Sequence, residues 1–188
     1  INTSGGGLRS ALWTVHVLNF LDSITNQRLT KQTHLITGAS GGMIGAAFYR
    51  ENYKKGIYGE TMVNGNEMKR RISKDLLNPL AFSIATTDMF YRFKKHDDGK
   101  YIYTKDRGWF FEKNLIENLN CFEGKRILDY KLPEYHSDIP MMIFSPSVVN
   151  DGRRLLISPQ KITFLCNTDT SLLSGKIALE NIEFSNLF

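Results

Sequence analysis

The chain has 188 residues, 41% of them hydrophobic, with a formal net charge of +5. That suffices for one globular domain with a sizeable core, and two cysteines, Cys121 and Cys166, exclude a disulfide scaffold and read as two buried thiols. Four scattered histidines (His16, His34, His96, His136) offer no metal-ligand spacing, so no metal site is expected. No stretch reaches the ~20 apolar residues of a membrane span; the nearest, Leu76 to Phe90, carries Asn78, Pro79, Thr86, Thr87 and Asp88.

Taken in chain order, the first feature is Ser4-Gly5-Gly6-Gly7-Leu8-Arg9-Ser10. Three glycines free the backbone to aim its N–H groups at one point. Leu8, Ala11, Leu12, Val15, Leu18 and Leu21 follow at helical spacing, which predicts a helix to about Ile24. An apolar strand is expected at His34–Thr37. It runs into Gly38-Ala39-Ser40-Gly41-Gly42, after which Met43 to Tyr53 reads as a helix. Strand, tight turn with a central serine, then helix is the layout of a nucleophile elbow. Gly38 and Gly42 let the chain turn sharply and leave the Ser40 hydroxyl at a helix N-terminus, where negative charge is favoured. Acyl transfer needs such donors, because the carbonyl oxygen becomes an anion in the tetrahedral intermediate.

Farther on come a helix-rich segment at Glu60–Leu77, an irregular stretch, and a helix near Trp109–Leu119. Residues 50–113 hold 14 Lys and Arg against 9 Asp and Glu, net +5, together with Phe90, Tyr91, Phe93, Tyr101, Tyr103, Trp109, Phe110 and Phe111. Basic and aromatic residues together suit an anionic lipid interface, and an anionic membrane surface is the expected partner of this segment. A soluble insertion with a charged face and an aromatic core accounts for the same composition. No nucleic-acid-binding signature accompanies it, so no nucleic acid is expected as a partner. Strands are expected at Met141–Val149, Leu155–Ser158 and Lys161–Leu165, with Asn150-Asp151-Gly152 as a hairpin turn. Helices alternating with apolar strands imply an α/β fold, a three-layer sandwich around a mostly parallel central sheet.

The two glycine motifs, SGGGLRS followed by GASGG, resemble those of the patatin-like phospholipases and their cytosolic phospholipase A2 relatives. The resemblance is specific over Ile1 to about Tyr53. It implies that Gly5, Gly6, Gly7 and Arg9 build the oxyanion hole and that Ser40 is the nucleophile. The family form of the first motif, G-x-G-x-x-G, ends here in Ser10. The family works with a Ser–Asp dyad whose Asp lies in Asp-Gly-Gly or Asp-Gly-Ala, and this chain contains neither. Its Asp-Gly pairs are Asp98-Gly99, in a polar run, and Asp151-Gly152, in the hairpin turn. Asp151 is the one internal candidate base, and turn chemistry is the competing assignment. A hairpin of this kind precedes the dyad Asp in the family. The first strand is cut to Ile1-Asn2-Thr3, so the chain is read as the N-terminal and central part of a patatin-like domain. A basic-aromatic helical insertion is expected at about 54–120, and the dyad Asp outside the fragment.

The resemblance implies a serine acyl hydrolase acting on lipid esters, with no cofactor and a cytoplasmic or membrane-associated setting. Targeting segments would lie outside the fragment. Two alternatives stand. One is a non-catalytic lipid-binding or scaffolding module, motivated by the missing base. The other is an NAD(P)-dependent short-chain dehydrogenase, because Thr37 to Gly45 is similar to that family's nucleotide loop and Y-x-x-x-K occurs at Tyr91/Lys95 and Tyr101/Lys105. Ile44, where that loop needs glycine, speaks against it. His34, six residues before Ser40, is expected to begin the strand rather than to act as a base.

Overall fold

A computed structural model describes residues 1–89, 95–97, 99, 101–166 and 181–187. Phe90, Tyr91, Phe93, Asp98 and the terminal Phe188 lie outside the described residues, and with them the Tyr91/Lys95 pair. The chain divides into two compact units, Ile1–Lys69 with Gly124–Phe188, and Arg70–Glu123. The second covers most of the span read as an insertion, about 54–120, and runs a few residues past its end.

The first unit is mixed α/β, built on a small parallel sheet. Strand β1 (Asn2–Thr3) leads through the glycine loop into helix α1 (Gly7–Ile24). A short helix α2 (Leu29–Gln32) precedes β2 (Leu35–Gly38), which turns into α3 (Ser40–Ile57). After α4 (Gly65–Ile72) and the second unit, the chain returns as β5 (Met141–Phe144). The sheet order is β1-β2-β5, all parallel. Thr3 stands opposite Gly38, and Gly38 opposite Phe144. Parallel neighbours end at the same sheet edge, so the glycine loop after Thr3 and the turn after Gly38 emerge side by side. Leu35, Ile36 and Thr37 suit the central strand, and Ile36 is buried in it.

Helices α1 and α3 pack on each other through small residues. A methyl on Gly45 would lie 2.3 Å from the Ala11 carbonyl oxygen, and one on Gly42 would lie 2.2 Å from that of Ser4. Ala11, Val15 and Leu18 of α1 and Met43, Ala46 and Phe48 of α3 are buried. Full burial of a side chain the size of Leu18 or Phe48 contributes about 1.5–3 kcal/mol. Farther along α3, buried Arg50 is ion-paired with buried Glu134 and donates to the Pro140 carbonyl at 2.9 Å. Burial lowers the Arg50 pKa and raises that of Glu134, while their mutual attraction opposes both shifts. Glu51 accepts from the Tyr130 hydroxyl at 2.7 Å and pairs with Lys125. These pairs tie α3 to the 3₁₀ turn Ile127–Tyr130 and to the segment entering β5.

The hairpin after β5 forms where expected, with Phe144 bridging Ile157 and Ser147 bridging Arg154. Regular strand ends at Phe144, short of the expected Val149, because Pro146 offers no ladder donor. Strand β6 (Leu155–Leu156) pairs in parallel with β7 (Ile182–Glu183). The expected strand at Lys161–Leu165 is instead a 3₁₀ turn at Thr163–Leu165, held by Glu183, which accepts from Ile162 N–H at 2.9 Å and Thr163 Oγ1 at 2.6 Å. Both cysteines are free and half-buried, less enclosed than expected.

In the second unit, α5 (Leu77–Ser83) continues as a π-helical turn, Ile84–Asp88. A short antiparallel pair, β3 (Lys95–Asp97) and β4 (Ile102–Thr104), leads to α6 (Arg107–Leu119), whose N-terminus Asp106 caps by accepting from Trp109 N–H. Trp109 meets Phe110 edge-on at 4.9 Å, and Lys105 Nζ lies 4.7 Å from its ring centroid. This unit lines a cleft of about 1030 Å³ with His96, Tyr103, Trp109, Glu112 and Lys113 among its walls. Leu77, Phe82, Met89, Tyr101 and Ile102 are exposed.

Candidate active site

Ser40 stands at the strand-to-helix turn with φ of +57°, left-handed and uncommon for a residue with a Cβ. Ala39 before it is extended, so the chain reverses within one residue. The Ser40 side chain is exposed. Gly38, at φ of +147°, must be glycine on two counts: its backbone is left-handed, and a methyl there would lie 2.2 Å from the Thr3 carbonyl oxygen.

The glycine loop lies against this serine. A methyl on Gly5 would be 3.3 Å from Ser40 Cβ and 3.7 Å from Ser40 Oγ. A methyl on Gly41 would be 1.8 Å from the Gly7 carbonyl oxygen. Two helix N-termini therefore converge on one hydroxyl. Neither carries a side-chain cap or an acidic residue in its first turn. The first N–H groups of each helix have no partner within the helix, and the dipoles of both favour negative charge at this point.

The sequence-derived residues divide cleanly. Gly5, Gly6, Gly7, Gly38, Ser40 and Gly42 fall in one cluster at the edge of the sheet. Arg9 is exposed one turn into α1 and makes no ion pair among the described residues. Among the described residues Asp151 makes no hydrogen bond to Ser40. Its carboxylate accepts from Arg153 N–H at 2.9 Å and from Arg153 Nε at 2.7 Å. These hydrogen bonds hold its pKa below the usual carboxylate range. With Gly152 left-handed beside it, Asp151 does turn chemistry. His34 sits at the far end of β2, its carbonyl accepting from Met141 N–H at 3.0 Å. Among the described residues no side chain is hydrogen-bonded to Ser40 Oγ, and no group of three or more His, Cys, Asp or Glu is arranged to hold a metal. None of the described helices is long and apolar enough to cross a membrane.

Two features of the site were not read from the sequence. Gly41 and Gly45 form the seam with α1, a role visible only once a carbonyl is seen against each. Gly45, the last residue of the run that resembles a nucleotide loop, has its Cα face against the Ala11 backbone rather than open to a ligand. The Ser10 hydroxyl donates to the Ser4 carbonyl at 2.7 Å. No family model, no curated protein and no solved structure matches this chain.

Proposed function

We propose that the chain carries the nucleophile and oxyanion loop of a serine acyl hydrolase acting on lipid esters, in the manner of the patatin-like phospholipases it resembles. The observation that carries this reading is the contact of Gly5 with an exposed, left-handed Ser40 at two uncapped helix N-termini. In this reading Ser40 Oγ attacks the ester carbonyl, and amides of the Gly5–Gly7 loop take up the developing oxyanion. The carbonyl carbon passes from trigonal to tetrahedral, the alcohol leaves as the acyl-serine forms, and water releases the acid. The base that takes the serine proton is an Asp outside this chain.

A fluorophosphonate probe tests the assignment. Full-length wild-type protein, with the base present, should be labelled at Ser40, and Ser40→Ala in it should lose both labelling and ester hydrolysis. Hydrolysis unchanged in Ser40→Ala would end the proposal. The second reading, a non-catalytic lipid-binding module, is favoured by the lack of a base bonded to Ser40 Oγ among the described residues. It expects lipid binding with no labelling in the longest available form of the protein. The exposed apolar residues of the second unit, with the net positive charge of residues 50–113, support an anionic lipid surface as partner under either reading.

A further inference from the structure

Three consecutive glycines leave the oxyanion loop without any Cβ to fix its direction, so its peptide planes need an outside constraint. The constraint nearest to hand is Ser10. Its hydroxyl donates to the Ser4 carbonyl at 2.7 Å, bridging the start of the loop to the first turn of α1. The same carbonyl is closed in by α3, since a methyl on Gly42 would lie 2.2 Å from it and 3.2 Å from Ser10 Oγ. Among the described residues there are no cis peptides. In a trans peptide the C=O and the following N–H point in opposite directions. A Ser4 carbonyl held into the α1–α3 seam therefore turns the Gly5 N–H outward. A methyl on Gly5 would lie 3.7 Å from Ser40 Oγ.

Resting on the hydrolase reading, we infer that Ser10 is a positioning residue that sets the direction of the Gly5 amide toward the oxyanion. It never touches substrate. Its hydroxyl locks a peptide plane that the glycine triplet would otherwise let rotate. The position is where the resembling family's motif has glycine, so this chain would hold its loop by a different device.

The test uses the full chain, with Ser10→Ala to remove the hydroxyl and Ser10→Thr to restore one. The readouts are the rate of fluorophosphonate labelling at Ser40, the thermal midpoint, and the NMR order parameter of the Gly5 amide. One neutral hydrogen bond corresponds to about a 2- to 13-fold effect, so labelling should slow about tenfold in Ser10→Ala. The Gly5 order parameter should fall with it, and both should recover in Ser10→Thr. A purely structural role would lower the midpoint while leaving the labelling rate of the folded fraction unchanged, and that result overturns the inference. So does a Gly5 amide equally ordered in Ser10→Ala. Either outcome leaves the hydrolase reading intact, whereas a wild-type protein in its longest form, base included, that is not labelled at Ser40 removes that reading and this inference with it.

Discussion

Two glycines of α3 make a paired test of how the helices meet. At both Gly45 and Gly56, an added methyl would lie 2.3 Å from its nearest atom. At Gly45 that atom is the backbone carbonyl of Ala11, with the rest of the Ala11 backbone 3.1 Å away. At Gly56 it is the sulfur of Met62, the end of a flexible, largely exposed side chain. A carbon reaches a carbonyl oxygen comfortably at about 3.3 Å, so Gly45→Ala requires α1 and α3 to part by about 1 Å. Overpacking of this kind costs about 1–3 kcal/mol, against ~1 kcal/mol returned by the better helix former. The expected net loss is about 0–2 kcal/mol, a fall of up to ~8 °C in thermal midpoint for a chain of this size. Gly56→Ala keeps the propensity gain while Met62 swings aside, and should be neutral or raise the midpoint by up to ~4 °C. Paired thermal melts decide it. If Gly45→Ala is as stable as Gly56→Ala, the backbone-to-backbone seam between α1 and α3 is wrong.

Asp151→Asn should leave any Ser40-dependent hydrolysis within about twofold of wild type, because its carboxylate serves its own turn; activity abolished by that change would make Asp151 the base after all. Glu183→Gln should reveal a pH-dependent contribution. Burial raises the Glu183 pKa, but hydrogen bonds from Thr163, Ile162 and Ser185 outweigh it and leave the pKa lowered. A carboxylate lowered on folding adds stability above its unfolded pKa of about 4.3 and loses it as pH falls through the folded value. The gap in midpoint between wild type and Glu183→Gln should therefore be widest near neutral pH and close in acid, and a gap independent of pH would refute the assignment. Sedimentation with vesicles should show binding to phosphatidylserine-containing membranes that weakens at high salt, with Phe82→Ala and Met89→Ala reducing it; equal binding to zwitterionic vesicles would remove the electrostatic part of that reading.

The parts of this molecule legible in sequence are those where one local rule decides. The apolar spacing from Leu8 to Leu21 set the limits of α1 closely, and Thr37-Gly38-Ala39-Ser40 marked the strand-to-helix turn to within a residue. Asn150-Asp151-Gly152 declared its hairpin. Less legible was anything settled by a distant partner. Lys161–Leu165 has strand composition, yet Glu183, some twenty residues later, captures its backbone and hydroxyl and winds it into a 3₁₀ turn. The seam glycines behave likewise. Gly41 and Gly45 look like part of a loop signature, and only the carbonyls of Gly7 and Ala11 explain why no side chain fits. Ser10 reads as a departure from a motif until its hydroxyl is seen on Ser4.

The left-handed backbone at Ser40 has a consequence for how stability and chemistry trade against each other in this chain. A residue with a Cβ gives up about 1–2 kcal/mol to sit there, and glycine would recover much of it. The chain is therefore more comfortable with glycine at position 40 than with the serine proposed as its nucleophile. A Ser40→Gly variant, unlike Ser40→Ala, relieves the turn while clearing space beside Gly5, which under the proposed reading makes it the better vessel for holding an intact ester. If the proposed hydrolase reading holds, drift toward glycine at position 40 is the direction that relaxation of catalytic demand would leave open.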